Sequence, residues 1–326
     1  MNTQPVGILN NQATTDPGTA CDRAQQPGSQ HTPVSAEIAS GRTGRSDPTK
    51  GNRPLSFKRL KVFLHASVLE VSFVDDASQN AFDSETAIEL NDLLLDLVKS
   101  SGCFESVTIG ALLFTSRLGV PGGRAGVFLS GGNLKEIAAD LAAARRTMLV
   151  MQENCSLLRR LPCLSICLLS GRCLGGGAEF ALAADERWLG SSGATLELKQ
   201  REWGLSSGWF GMSRLVELRP RGGRRAAAVD FARGRIWSAA ELIADGLCEC
   251  DFRQVTFDEC VQRAIEVSED LLRCPASLRH ELLADDKFVL RQSAIDDLMR
   301  FERFWGSAEH QKALEKYRKS KAKLCP

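Results

Sequence analysis

The chain has 326 residues, of which 43% are hydrophobic, and its 41 basic and 40 acidic side chains give a formal net charge of +1. This length can form one large domain or two ordinary ones, and the balanced charge gives no electrostatic reason to expect a nucleic acid or a charged membrane as a partner. The N-terminus has no signal-peptide pattern and no apolar run reaches the length of a membrane span, so we expect a cytoplasmic protein.

The first predicted element is a tail over residues 1–55. It is rich in Gly, Ser, Thr, Pro, Gln and Asn and has few large apolar side chains, so it cannot offset the entropy of ordering and is expected to be disordered. Two strands, Val62–His65 and Leu69–Val74, follow. The apolar spacing after them predicts a helix that Asp83 or Ser84 caps.

Strands and helices alternate over the middle of the chain. The apolar run Val107–Thr115 predicts a strand buried on both faces. Val127–Leu129 and Leu164–Leu169 are further predicted strands, with a helix over residues 134–158 between them. This alternation is typical of an α/β fold.

The same pattern divides the chain into regions. Residues 56–256 are predicted to form the α/β core. In residues 257–326 apolar side chains recur at helical spacing with charges between them, which predicts a C-terminal helical region.

The eleven cysteines are scattered and form no paired CxxC set, and only four histidines are present to complete a metal site. We therefore expect reduced, mostly buried thiols and no metal centre. An odd number of cysteines without a secretion signal is typical of a reducing compartment.

Two glycine-rich turns each follow a predicted strand and open a helix. They are Phe128–Lys135 and Leu174–Glu179. At a helix start several backbone N–H groups lack partners within the helix, so two such turns brought together could donate to one oxygen atom. Neither turn matches the GxGxxG or GxxxxGK[ST] pattern of nucleotide-binding loops.

Five segments, in the same order along the chain, resemble motifs of the crotonase (enoyl-CoA hydratase/isomerase) superfamily. The resemblance extends over residues 60 to 320. The five segments are Asn80–Asp83, Phe128–Lys135, Ser170–Asp185, Gly204–Leu215 and Gly234–Leu247.

The resemblance implies a spiral of ββα units with a C-terminal helical trimerisation region, a homotrimer or hexamer, and an acyl-CoA ligand with no further cofactor. By position, the oxyanion-hole amides are those of Gly132 and Gly176. Lys135 lies where some relatives have a lysine near CoA, although a solvated surface lysine is an equal interpretation. The predicted substrate-binding residues also include Ser130, Gly131 and Trp209, although an aromatic side chain packed in the core under the glycine-rich loop is an equal interpretation for Trp209.

Glu179 matches the first catalytic glutamate of the superfamily. The resemblance implies a general acid or base beside the oxyanion hole. The alternative interpretation is a first-turn glutamate that is stabilised by the helix dipole.

The position of the second catalytic glutamate is occupied by Gln200, which cannot exchange a proton as a carboxylate does. Hydration needs one group that activates water and another that protonates the α-carbon. Glu202 could substitute if residues 200 and 202 share a face of a strand. Arg201 would hold a substrate carboxylate only if it faces inward, and a solvated surface position is the other possibility.

The run Gln200–Gly204 followed by Gly208–Trp209 resembles the second-site motif of decarboxylating relatives that act on malonyl-type thioesters. Loss of CO2 gives an enolate directly and needs no activated water. The leading hypothesis is therefore a crotonase-superfamily lyase that decarboxylates a malonyl-type thioester, with Gln200 hydrogen-bonded to the leaving carboxylate. The alternatives are an enoyl-CoA hydratase or isomerase, a non-catalytic binding or scaffold subunit, and an enzyme whose acyl group is bound to a carrier protein.

Overall fold

The computed structural model describes residues 36–37, 57–75, 77–116, 126–219, 221–285 and 291–322. The strands in these ranges are β1 (Ala36–Glu37), β2 (Leu60–His65), β3 (Val68–Phe73), β4 (Ala81–Phe82), β5 (Cys103–Phe104), β6 (Val107–Thr108), β7 (Ala111–Ser116), β8 (Val127–Leu129), β9 (Gly131–Gly132), β10 (Leu164–Leu169), β11 (Arg172–Leu174), β12 (Glu186–Leu189), β13 (Thr195–Glu197), β14 (Ile236–Ser238) and β15 (Cys250–Asp251). The helices are α1 (Ser84–Lys99), α2 (Leu134–Ala139), α3 (Leu141–Leu158), α4 (Gly176–Ala183), α5 (Gly211–Leu218), α6 (Gly223–Arg233), α7 (Ala239–Ala244), α8 (Phe257–Leu272), α9 (Ala276–Leu283), α10 (Gln292–Phe304) and α11 (Ala308–Ala322), with a 3-10 helix at Gln200–Trp203.

The strands form a seven-stranded sheet in the order β1-β2-β3-β7-β10-β12-β15 and a four-stranded sheet in the order β14-β13-β11-β8. The β2–β3 hairpin is antiparallel, whereas β3, β7, β10, β12 and β15 pair in parallel. All six residues of β7 and of β10 are buried, as expected for parallel strands that are covered on both faces.

The chain repeats one unit three times. In each repeat a strand of the large sheet is followed by a strand of the small sheet and then by helix: β7, β8 and α2–α3; β10, β11 and α4; β12, β13 and the 3-10 helix with α5. Within the small sheet β8, β11 and β13 are parallel neighbours. The predicted α/β fold with repeated ββα units is therefore confirmed.

The predicted strand Val107–Thr115 is wrong in one respect, because the run is broken between β6 and β7. β6 pairs with β5 in a small hairpin, and the chain then turns at Gly110, whose N–H donates to Ser67 O (3.0 Å). A Cβ added at Gly110 would lie 2.3 Å from Ser268 Oγ of α8. The close approach of α8 explains why a glycine interrupts the apolar run.

The single helix predicted over residues 134–158 is two helices. Asp140 has extended backbone angles (φ −143°, ψ 100°), and its carboxylate accepts hydrogen bonds from the N–H groups of Ala142 and Ala143, both at 2.9 Å. An aspartate in this position caps the second helix and so ends the first. The predicted cap at Asp83 is confirmed, since its side chain accepts from Thr86 N at 2.8 Å.

From residue 257 onward the described residues form the four helices α8 to α11 with short connections between them, as the spacing predicted. α8 packs its buried Cys260, Val261 and Ala264 against the large sheet. α10 and α11 lie on the other hydrophobic clusters, where Phe301 and Leu314 are buried. These two helices reach the site described below.

Residues 1–55 lie outside the described residues apart from β1, which pairs with β2. Among the helices that the structure describes, none has the length and apolar character needed to cross a membrane.

The nine cysteines among the described residues are free thiols, and most are buried as predicted. Burial raises the pKa of Cys163 and of Cys167 to about 12.

Candidate active site

A cavity of about 660 Å³ lies where the two glycine-rich turns meet the 3-10 helix and the C-terminal helices. The two turns contribute Ser130, Gly132, Leu174, Gly175 and Gly176 to the lining, and residues 130–132 and 174–176 are called the glycine wall below. A second group of lining residues is called the side-chain wall and consists of Gln200, Glu202, Trp203, Leu205 and Ser206 together with His310, Leu314, Tyr317 and Lys321 of α11. Trp209, Phe301 and Trp305 also line the cavity, as do Lys135, Glu179 and Lys199.

The glycine wall is formed by direct contact between the two turns. Gly131 has φ +88°, and a Cβ added to it would lie 2.7 Å from Leu174 O and 2.9 Å from Gly176 N. Only glycine permits this approach together with the positive φ. The structure therefore brings the two turns into contact.

Two residues of the glycine wall have backbone N–H groups that bear on the chemistry of the site. Asn133 N donates to Phe82 O (3.0 Å) across the β4–β9 pair, and successive N–H groups of a strand point in opposite directions, so the N–H of Gly132 points away from β4. Gly176 is the first residue of α4, where N–H groups have no partner within the helix. Gly132 and Gly176 both line the cavity.

Glu179 is 2% exposed, and its carboxylate accepts five hydrogen bonds. The donors are Gln200 Nε2 (2.6 Å) and Gly208 N (3.1 Å) to Oε1, and Ser207 Oγ (2.7 Å), Trp209 N (2.9 Å) and Gly211 N (2.9 Å) to Oε2. A carboxylate offers about four lone-pair sites. Both oxygens are therefore saturated, and in this arrangement Glu179 anchors the loop that follows the 3-10 helix.

The anchored loop is held in a strained conformation. Phe210 is a non-glycine residue at φ +66°, immediately before α5, and such a conformation persists only where the surroundings determine it. A Cβ added at Gly211 would lie 2.6 Å from Glu179 Cγ. Trp209, which this loop positions, covers Gly176 so closely that a Cβ there would lie 2.5 Å from the indole ring.

Asp297 of α10 supports the loop from behind. It is 2% exposed, and its Oδ2 accepts from Ser213 N (2.8 Å) and Ser213 Oγ (2.7 Å) at the start of α5. Burial raises the pKa of Asp297 to about 6, against the opposing hydrogen bonds from Ser213, and the nearby Glu179 charge adds to the increase. The loop is thus fixed between two buried acidic side chains.

Gln200 is 6% exposed and presents an acceptor to its surroundings. Its Nε2 is used on Glu179, and its Oε1 is buried without a hydrogen-bond partner in the part of the chain that the structure describes. The amide NH2 group carries two hydrogens and one is used on Glu179, so the hydrogen bond from Gln200 to a leaving carboxylate stays a prediction.

Glu202 does not share a face with Gln200. The two residues lie in a 3-10 helix rather than a strand, because Gly204 at φ +63° closes a turn in which Leu205 N donates to Gln200 O (3.0 Å). The Glu202 side chain is 54% exposed and pairs with Lys199 Nζ at 3.2 Å. Glu202 lines the cavity but remains largely exposed. The predicted strand, which would have placed a second carboxylate on the same face as Gln200, is therefore wrong.

The remaining predicted residues are distributed around the cavity. Ser130 lines it and donates its hydroxyl to Ser78 O (3.2 Å), and Lys135 lines it as an exposed side chain. Gly131 lies behind the lining. Arg201 is exposed and packs beside Gly234 rather than facing inward.

Two polar side chains beside the site have structural roles. Asn133 caps α2 through hydrogen bonds accepted from Lys135 N (3.0 Å) and Glu136 N (3.3 Å). Arg214 is buried and donates to Leu182 O (3.0 Å) and to the Glu217 carboxylate.

An ionic cluster lies next to the glycine wall. Glu197 accepts from Arg172 Nε (2.7 Å) and Thr195 Oγ1 (2.8 Å) and pairs with Lys199 Nζ (3.2 Å). Burial alone would raise the pKa of Glu197, but these hydrogen bonds lower it to about 2. Lys199 lines the cavity with both Glu197 and Glu202 as partners, so its charge is compensated.

Three residues of the site were missed in the sequence: Ser206, Ser207 and His310. The hydroxyl of Ser207 donates to Glu179, and Ser206 and His310 line the cavity. Small residues after Gly204 gave only a loop signal, and a single histidine in a polar helix gives none. In the part of the chain that the structure describes, His, Cys, Asp and Glu side chains form no group able to hold a metal ion.

Comparison of the sequence with known proteins identifies relatives of this chain. A sequence profile described as "Enoyl-CoA hydratase/isomerase" matches residues 64–323. An ethylmalonyl-CoA decarboxylase of Xenopus tropicalis is 29% identical over 153 residues, which are 46% of each chain, so the chain spans about half the length of this relative. An ethylmalonyl-CoA decarboxylase of Rattus norvegicus is 25% identical over 243 residues, 73% of this chain and 76% of that one.

Solved structures share the fold. The crystal structure of an enoyl-CoA hydratase from Bacillus halodurans superposes with a TM-score of 0.65 at 16% identity, over 79% of this chain and 99% of that one. At this level of identity the likeness concerns the fold alone.

Proposed function

This chain belongs to the enoyl-CoA hydratase/isomerase family, and from that premise we propose that it decarboxylates a malonyl-type acyl-CoA. The observation that carries the proposal is the hydrogen bond from Gln200 Nε2 to Glu179 Oε1 (2.6 Å). It leaves one buried carboxylate among the described cavity-lining residues, since Glu202 is exposed and paired with Lys199. Hydration needs two such groups, whereas loss of CO2 needs none for water activation. The names of the frog and rat relatives agree with this reaction.

In the proposed reaction the N–H groups of Gly132 and Gly176 donate to the thioester oxygen. The bond between the α-carbon and the carboxylate breaks, and its electron pair moves toward that oxygen as CO2 leaves. Donors aimed at the oxygen on which charge develops lower the barrier, and one such donor contributes a factor of about 10² to 10³ in kcat. A proton from solvent then adds to the α-carbon, and no cofactor beyond the CoA of the substrate takes part.

Glu179 has a positioning role in this proposal. Its two oxygens are occupied by five donors, so it holds the loop that places Trp209 against Gly176. Ser130, Lys135 and Trp209 line the cavity and are the proposed contacts to the acyl-CoA. Lys321 of α11 lines the same cavity and adds a further exposed positive charge.

The test is single-turnover mass spectrometry in deuterated water with malonyl-, methylmalonyl-, ethylmalonyl- and crotonyl-CoA. We expect CO2 loss from a malonyl-type thioester with deuterium at the α-carbon, and no hydration of crotonyl-CoA. Hydration of crotonyl-CoA without decarboxylation would overturn the proposal in favour of a hydratase. Binding of every thioester without turnover would overturn it in favour of a scaffold subunit or a carrier-bound substrate.

A homotrimer or hexamer is part of the same proposal. Leu278 and Leu282 of α9 and Met299 of α10 are large apolar side chains that are 46%, 70% and 61% exposed in the single chain. Light scattering on the purified protein measures the assembly directly. A monomer at micromolar concentration would contradict it.

A further inference from the structure

His310 lies on the side-chain wall of the cavity and is 1% exposed. α11 approaches the 3-10 helix so closely that a Cβ added at Gly204 would lie 2.8 Å from His310 N. The ring packs against Trp305, with 4.8 Å between the ring centroids. Close packing on two sides therefore holds the imidazole at the cavity.

The imidazole of His310 is a hydrogen-bond donor at Nε2. Its Nδ1 accepts from Gly306 N (3.0 Å), so the neutral ring carries its proton on Nε2. Burial lowers the pKa of His310, which favours this neutral form. No hydrogen bond from Nε2 is formed within the described residues.

Two further polar atoms on the same wall lack partners. Ser206 Oγ and Gln200 Oε1 are buried and make no hydrogen bond within the described residues, and both residues line the cavity. Buried polar groups in native proteins are nearly always satisfied by protein, water or ligand. Ser206 can donate, as His310 can, whereas Gln200 Oε1 can only accept.

We propose that His310 Nε2 and Ser206 Oγ donate hydrogen bonds to the free carboxylate of the malonyl-type thioester. This inference rests on the proposed function and identifies the residues that recognise the group to be lost. Gln200 Oε1 is left to accept a hydrogen bond from a water molecule whose other hydrogen the carboxylate accepts. The subsite then distinguishes a carboxylated acyl group from an uncarboxylated one.

Neutral donors suit a carboxylate that must leave as neutral CO2. A cation would stabilise the carboxylate in the ground state more than in the transition state, and so raise the barrier. Of the cationic side chains in the described lining, Lys135 and Lys321 are exposed, and Lys199 is paired with Glu197 and Glu202. The buried donors available to the substrate carboxylate are therefore uncharged.

The proposal can be tested by calorimetry with two stable thioethers, S-(2-carboxyethyl)-CoA and S-ethyl-CoA, which differ by the carboxylate and cannot decarboxylate. His310→Phe keeps a ring but no donor, His310→Gln keeps a donor, and Ser206→Ala removes the hydroxyl. Tyr317→Phe is the matched control, because Tyr317 lines the cavity from the same helix. The ratio of the two dissociation constants reports the carboxylate subsite alone.

We expect the wild type to bind S-(2-carboxyethyl)-CoA more tightly than S-ethyl-CoA. His310→Phe and Ser206→Ala should each reduce this preference by about tenfold, as for the loss of one hydrogen bond to a charged group. S-ethyl-CoA should bind within about twofold of wild type in all variants, and His310→Gln should retain most of the preference. An unchanged preference in His310→Phe and Ser206→Ala, or an equal loss for both thioethers, would overturn the inference. Turnover of malonyl-type substrates by the wild type separately tests the proposed function.

Discussion

The glycine wall and the side-chain wall line the same cavity but are assembled differently. The glycine wall consists of backbone groups, and each turn is encoded by a few consecutive residues around Gly132 or Gly176. The side-chain wall depends on contacts between distant positions, such as Glu179 with Gln200 and Gly204 with His310. In our proposal the first wall stabilises the enolate that many thioester reactions need, and the second, which differs in its functional groups, selects the reaction.

The largest expected effect comes from the glycine wall. In Gly176→Ala the new Cβ would meet the rigid Trp209 ring at 2.5 Å, so the N–H of residue 176 must shift. We expect kcat to fall by about 10² to 10³, as for loss of one oxyanion donor. Steady-state kinetics measures the fall, and circular dichroism at 222 nm confirms that the fold is retained.

Gly132→Ala is the matched comparison for Gly176→Ala. Its added Cβ would meet the flexible end of Met148 at 3.0 Å, which can move aside, so we expect a loss of about tenfold or less. Equal losses in the two variants would show that the contact with Trp209 has no influence on the amide of residue 176.

The next effect concerns the side-chain wall. In Gln200→Glu two carboxylate oxygens would face each other at the 2.6 Å now spanned by the amide. Like charges at this distance cannot both ionise, so the pair must share a proton in the folded protein. A shared proton means that the folded state binds more protons than the unfolded state, so this variant should lose stability as the pH rises.

Chemical denaturation of Gln200→Glu and wild type across a pH series measures this linkage. At high pH we expect the variant to be less stable by about 3 kcal/mol, as for an unpaired buried charge, and the difference should shrink as the pH falls. A difference that does not depend on pH would mean that residues 179 and 200 are not in contact.

The contrast between the walls also explains what the sequence could predict. The turns around Gly132 and Gly176 follow from local glycine patterns, and the caps at Asp83 and Asn133 follow from helix-start rules. The break at Asp140 was missed, although an aspartate before an alanine run is a local signal of a helix start.

The side-chain wall could be predicted only in part. The replacement at Gln200 was visible in the sequence, but the assumption of a strand there gave Glu202 the wrong orientation, because the turn closed by Gly204 is set by the packing of α11 against it. His310 left no pattern, since its position at the cavity depends on tertiary packing of a polar helix. Backbone chemistry is thus encoded locally, and side-chain chemistry is encoded by long-range contacts.

A smaller effect is expected from the support behind the loop. The pKa of Asp297 is about 6 in the folded protein and about 3.8 in the unfolded chain. The protonated side chain therefore contributes stability that is fully present below about pH 3.8 and is lost as the pH rises to about 6. Asp297→Asn keeps an oxygen that can accept from Ser213 but does not titrate.

Urea unfolding of wild type and Asp297→Asn at pH values from 4 to 7 tests this linkage. Relative to the variant, the wild type should lose about 2 kcal/mol of unfolding free energy between pH 4 and pH 6. The amides of residues 207–213 should exchange hydrogen faster in the wild type at the upper end of this range, while those of the glycine wall stay protected. Parallel stability curves for the two proteins would contradict the assignment.

The smallest expected effect distinguishes the roles of two glutamates that line the same cavity. Glu202→Gln and Glu179→Gln make the same chemical change, from carboxylate to carboxamide. Glu202 is 54% exposed with one partner, Lys199, so kcat/KM for a malonyl-type thioester should stay within about twofold of wild type. In Glu179→Gln a side-chain NH2 group must face at least one of five donors, and kcat/KM should fall by about 10². A fall of more than tenfold in Glu202→Gln would instead make Glu202 a participant in the chemistry. The exposed part of the side-chain wall would then supply the second carboxylate that hydration requires.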